Sequence, residues 1–203
     1  MAIVTFQELI DLVIMTLALG YIFKDTFHIP VTAETVDVVD YYKNKARGLL
    51  TQDFWYAALI TAPAVLFHEL GHKFVALGFG LNAIFHAHYT FLALGVILKA
   101  LNFGFIFFIP GYVSYQAFQL EAWKSMLISG AGPFVNLLLW VGCKMYLRYA
   151  VHQRKKLSDR VRNVLVFTAK INLFLFIFNM LPIPPFDGFK FFTGLWKVLT
   201  GAP

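Results

Sequence analysis

His68, Glu69 and His72 stand in the stretch LFHELGHKF (66–74), two imidazoles four residues apart with a carboxylate next to the first. On an α-helix, residues four apart share a face with Cβ atoms about 5–6 Å apart, so both rings can reach one metal ion. Glu69 then lies beside the open coordination position, where it can take a proton from water. A hydrolytic zinc site uses three protein ligands and leaves the fourth position for water. The third ligand must therefore come from elsewhere. Carboxylates near apolar segments are Asp11, Asp53, Glu121 and Asp187. Asp187 stands out, because it follows the prolines of LPIPPF and precedes Gly188, where unwound backbone can turn a carboxylate inward.

The surroundings sharpen this reading. FWYAALITAPAVLF precedes the motif and VALGFGLNAIF follows it. Hydrophobic residues make up 59% of the 203-residue chain and charged residues 14%, whereas a soluble domain carries about 25% charged. An integral membrane protein is implied. In a soluble chain HExxH is often an ordinary exposed helix, but inside a span a His, Glu, His trio costs several kcal/mol unless paired or metal-bound. Zinc binding is the expectation.

The elements that must position these groups follow from span length. A bilayer core about 30 Å thick needs roughly 20 mainly apolar residues per helix, which places spans at 5–23, 54–79, 124–147 and 163–181. The expected fold is an all-α polytopic bundle of about 4–6 transmembrane helices with a membrane-embedded zinc site, read as one domain over 1–203. Residues 24–53 form a polar connection with Val-rich and Thr-rich pieces that suit short strands. Residues 81–119 are apolar but broken by Asn82, Gly95, Asn102, Gly104, Pro110 and Gly111, which predicts a re-entrant segment or β-hairpin rather than a clean helix. After 181 the prolines interrupt a helix at membrane depth, which is tolerable where protein or a watery cavity covers the backbone.

The formal charge of +6 does not point to nucleic acid, because the excess sits in RYAVHQRKKLSDRVR (148–162), a loop between two apolar runs. The lone Cys143 lies in an apolar run, so no disulfide framework exists. The N-terminus carries Glu8 and Asp11 in place of the basic start of a signal peptide, and reads as a retained span. His86 and His88 flank aromatic residues and read as interfacial side chains; His28 and His152 read as loop residues.

Three separated motifs then coincide: HELGH at 68–72, SGAGPFVN at 129–136 and NMLPIPPFDG at 179–188. Together they resemble the signature set of the site-2 protease family of intramembrane zinc metalloproteases, peptidase family M50. Gly132, Pro133 and Asn136 match its second motif; Asn179, Pro182, Asp187 and Gly188 match its third. The likeness covers about 54–200. Phe189 departs from the pattern, since many members have a second glycine there. The resemblance implies one zinc per chain held by His68, His72 and Asp187, with Glu69 as general base and Asn179 as a donor to the oxyanion. Asn136 would support a ligand or touch substrate.

The implied activity is hydrolysis of a peptide bond within or near the transmembrane segment of a single-span membrane-protein substrate, in the manner of regulated intramembrane proteolysis. FGFIFFIPGYV (103–113) is a candidate to pair with an unwound substrate as an added strand. Six basic residues against one acid at 148–162 put that loop in the cytoplasm by the positive-inside rule and turn the zinc away from it, whereas the resemblance implies a site entered from the cytosol. Two rivals are a membrane zinc transporter and a catalytically silent scaffold. No other apolar segment has paired ligands for a transport path, and a scaffold has no use for Glu69.

Overall fold

The computed structural model describes residues 4–27, 51–103, 109–116 and 120–202. Its elements, in chain order, are α1 (Phe6–Phe23), α2 (Gln52–Gly78), β1 (Ala83–Ala87), α3 (Tyr89–Ala100), β2 (Gly111–Tyr115), α4 (Ala122–His152), α5 (Asp159–Asn179) and α6 (Asp187–Thr200). The helix starts carry the expected chemistry. Thr5 and Glu8 form a reciprocal capping box on α1, while Thr51 caps α2 through the Phe54 amide and Ser158 caps α5 through that of Val161. Each cap satisfies amides that the first helical turn leaves without a partner.

Three of the described helices, α1, α4 and α5, are long and apolar enough to cross a membrane. They correspond to three of the four expected spans. The 27-residue α2 is long enough, but His68, Glu69, His72 and Lys73 break its apolar run. Its partners explain how it holds them. α1 lies antiparallel along α2, with Gly20 against Phe54 and Ala58 at one end and Glu8 paired with Lys73 at the other. α4 also runs antiparallel to α2: Asn136 reaches the Ala64 carbonyl, Gly71 packs on Ala131, and His72 meets the Ile128 carbonyl. α6 returns along α4, with Phe191 beside Gly130 and Gly194 beside Met126. Large apolar side chains such as Phe134, Leu138, Phe174 and Ile177 face outward, the pattern of helices bathed in lipid rather than water.

The segment 81–119 differs in part from the expectation. β1 and β2 do pair antiparallel, with Ala83 opposite Tyr115 and Ala87 opposite Gly111. Between them, however, stands a 12-residue helix, α3, where no helix was expected. Its run YTFLALGVILKA contains one glycine and no proline, and the breakers cluster after it, at Asn102 and Pro110. Among the described residues no third strand pairs with the outer edge of β1. Glu8 accepts the Phe85 amide at 2.8 Å and Asp11 accepts the Ala87 amide at 3.1 Å, so two α1 carboxylates take the place of strand carbonyls. Glu8 is also the partner of the buried Lys73, one residue past His72. One carboxylate thus ties α1, the sheet and the histidine helix together. The possible strands at 24–53 fall outside the described residues, apart from that segment's two ends, and so does 104–108 within the segment 103–113.

Candidate metal centre

Three elements converge on one point. α2 presents His68 and His72 from adjacent turns, their rings 4.7 Å apart and nearly perpendicular. Asp187 arrives from the first residue of α6, after the break at 180–186. Gly188 permits that arrival, because a Cβ there would lie 2.6 Å from the Leu181 carbonyl oxygen and closer still to Met180. The Nε2 atoms of His68 and His72 are 3.1 Å apart, and Asp187 Oδ2 lies 3.1 Å from the first and 3.2 Å from the second.

The hydrogen bonds on the far side of each ring fix which nitrogen faces inward. His72 Nδ1 is 2.7 Å from the Ile128 carbonyl, which can only accept, so Nδ1 carries a proton and Nε2 is the nitrogen left to ligate when the ring is neutral. His68 Nδ1 is 2.6 Å from Asn136 Oδ1. Asn136 uses its amide hydrogens elsewhere, toward the Ala64 carbonyl at 3.0 Å and Asn172 Oδ1 at 2.8 Å, so its oxygen accepts from His68. Two lone pairs and a carboxylate oxygen therefore face one another, buried, at about van der Waals distance. With neutral imidazoles such a set repels itself, and a metal ion among the three atoms turns the repulsion into ligation. Ligands about 2.0–2.1 Å from a tetrahedral zinc are about 3.3 Å apart, close to the separations here.

The facing helix leaves room. A Cβ on Gly132 of α4 would fall 2.7 Å from His68 Nε2 and nearer still to His72 Nε2, on the atoms that would bind the metal. Among the described residues, His68, His72 and Asp187 are the group of ligand-type side chains that could hold a metal ion. The other carboxylates lie elsewhere: Asp11 is committed to β1 and Tyr89, Asp53 sits in the first turn of α2, and exposed Glu121 bonds Lys124 and Trp123. Those donors hold the Glu121 carboxyl below its usual range. His86 bonds Ser114, and His88 lines the same cavity as the triad without belonging to its group of ligand atoms.

Glu69 is 7% exposed and opens onto two cavities, both of which also touch His68 and Asn179. One, of about 250 Å³, is the more polar of the two, with Tyr112, Tyr115, Ser129, Asp187 and Lys190 in its wall. Burial, aided by the Asp187 carboxylate, raises the Tyr115 phenol, which keeps it a neutral O–H. Asn179 donates one amide hydrogen to the Leu175 carbonyl at 3.0 Å, which leaves its second hydrogen for the cavity.

Asn172 is the residue that sequence reasoning missed. It is fully buried, donates to the Thr168 carbonyl at 2.8 Å and orients the Asn136 amide through its own oxygen. A chain of contacts thus runs from α5 through Asn136 to His68. The signal was present, since an asparagine inside the apolar run INLFLFIF needs an internal partner.

Comparison with known proteins gives a consistent picture. The profile described as Peptidase family M50 matches residues 141–203. A protein of Methanocaldococcus jannaschii is 34% identical over 184 residues, 91% of this chain and 82% of that one. One from Bacillus subtilis is 30% identical over 150 residues, 66% of each chain. One from Synechocystis is 28% identical over 151 residues and is matched over 34% of its own length. Each of the three bears the name "Putative zinc metalloprotease". No solved structure matches the chain.

Proposed function

We propose, for a chain that belongs to peptidase family M50 and is thereby a membrane zinc metallopeptidase, that it cuts a peptide bond within or near the transmembrane segment of a single-span membrane protein. The observation that carries this reading is the inward-facing donor set of His68, His72 and Asp187 beside the buried Glu69. These three residues would hold one zinc ion per chain. α2 acts as a further span of the bundle, since its polar residues are turned onto partners within the protein.

Bound zinc supplies Lewis acidity, which activates water near neutral pH and polarises a carbonyl. The rest is done by the chain. Glu69 takes the proton of the attacking water and returns it to the leaving amine; burial keeps it from competing solvent. Asn179 offers its free amide hydrogen to the oxygen that gains charge, a contribution typically worth about 100-fold to 1000-fold. Asn136 fixes the His68 tautomer, and Asn172 fixes Asn136. Replacing Asn172 with alanine is expected to weaken zinc binding about 10-fold to 100-fold, the usual cost of losing an outer partner. Competition against a chromogenic chelator measures it, and an unchanged affinity would remove Asn172 from this role.

The outer edge of β2, which pairs with no strand among the described residues and lies beside the more polar cavity, would take the unwound substrate as an added strand. β1 cannot, because Glu8 and Asp11 occupy its outer amides. The protein acts in the cell membrane with its polar cavity on the cytosolic side. The basic loop 148–162 then lies at the far end: Gly132 and His152 are 20 residues apart on α4, roughly 30 Å. The decisive experiment is reconstitution with a single-span substrate. Cleavage mapped to its apolar segment is expected, with zinc stripped by an impermeant chelator added to the cytosolic face. Zinc flux without cleavage would support a transporter instead, and stripping from the opposite face would reverse the orientation.

A further inference from the structure

The second cavity at Glu69, about 140 Å³, has a much more apolar lining than the first. Its walls are Leu19 of α1, Thr61 and Val65 of α2, and Ile171 and Leu175 of α5. Away from the centre its polar atoms are used: the Thr61 hydroxyl donates to the Ala57 carbonyl at 2.8 Å, so the polar groups left to the cavity are those at its metal-side end, His68, Glu69 and Asn179. Along α2 the apolar cavity touches residues 61, 65, 68 and 69, whereas the polar one touches 68, 69 and 72. The apolar cavity therefore runs back from the metal centre by seven residues, about 10 Å, toward the N-terminal end of α2. The Asp187 carboxylate and the more polar wall lie on one side of Glu69. A hydrocarbon slot opens on the other.

Resting on the protease reading, we infer that this slot is a side-chain subsite for one residue flanking the scissile bond, and that it selects a bulky uncharged side chain such as leucine or phenylalanine. The occupant follows from continuity with the centre. A peptide held extended across His68 and Glu69 sends successive side chains to opposite sides, so of the two flanking residues one faces the polar cavity and the other enters the slot. A charged group there would lose water and meet no counter-charge except Glu69, the base itself. An apolar group loses only its contact with water, and burying a leucine-sized side chain is favourable by roughly 1.5–3 kcal/mol.

The test pairs substrate and enzyme changes in proteoliposomes. Substrates carrying leucine, alanine or aspartate at each flanking position are compared by kcat/KM. At one position leucine is expected to exceed alanine by about 10-fold to 100-fold and aspartate to be cut least. Ile171→Phe, which fills the slot, should remove the leucine advantage while alanine is still cut. Leu175→Ala, which widens it, should move the preference toward phenylalanine. On the Glu69→Gln chain, a photoreactive phenylalanine analogue at that position should label α5 between 171 and 178. If wild type cuts all substrates equally, if Ile171→Phe slows them all alike, or if the label falls on the outer face of α4, the subsite is wrong and the protease reading stands. If wild type cuts none, the protease reading fails and the subsite falls with it.

Discussion

Glu69→Gln is expected to lower substrate cleavage by about 100-fold to 10,000-fold, the span that a positioned general base contributes, while zinc content stays near wild type. Glutamine keeps the size and the hydrogen-bonding reach of glutamate but cannot hold the proton. Glu69 is not one of the three donors that converge, so the metal site should survive the change. Two measurements are needed together: cleavage rate in proteoliposomes and metal content of the same preparation. Low cleavage with full zinc is the signature of a lost base. Chelation of wild type should give the complementary result, with cleavage and zinc lost together and both restored on adding zinc. Cleavage that survives either treatment would sink the mechanism.

Gly132→Ala is expected to weaken zinc binding by at least about 100-fold, beyond the usual cost of an outer partner, and to take cleavage to background. One methyl group has this effect because of where it lands. The added carbon would overlap His72 Nε2 and lie 2.7 Å from His68 Nε2. The rings cannot swing aside cheaply, since each is pinned through Nδ1, one to the Ile128 carbonyl and the other to Asn136. The same helix supplies a control. A Cβ on Gly142 meets nothing within 4 Å, so Gly142→Ala should leave zinc and cleavage unchanged and, if anything, favour the helix by up to about 1 kcal/mol. Equal effects of the two substitutions would mean that Gly132 matters for helix packing generally and not for the metal centre.

Asp11 and Asn172 show how far the sequence could be read. Asp11 was one of four carboxylates available as a third ligand, and nothing in its neighbours says that it accepts a strand amide 76 residues away. Long-range pairing of this kind is set by how helices pack, which local patterns do not encode. Asn172 was visible as a polar residue in an apolar run, but its value depends on a 2.8 Å contact to Asn136 on another helix. Helix α3 was obscured for a different reason. Dense aromatic residues and the breakers around it favoured a re-entrant segment or strands over a helix, yet the hairpin that does form is split by twelve helical residues.

By itself the sequence determined the chemistry available. HELGH at helical spacing, apolar flanks that make charge expensive, and a carboxylate after a proline break carry information in residue type and short-range order, and those are legible without coordinates. Tertiary structure decided everything that depends on distance between remote segments: that His68, His72 and Asp187 meet within 3.2 Å, that Nε2 rather than Nδ1 faces inward, and that Gly132 is the space between them. It also decided that Glu69 stands between a polar cavity and an apolar one. A donor's identity is covalent and local. Its direction is set by the packing of three helices around it.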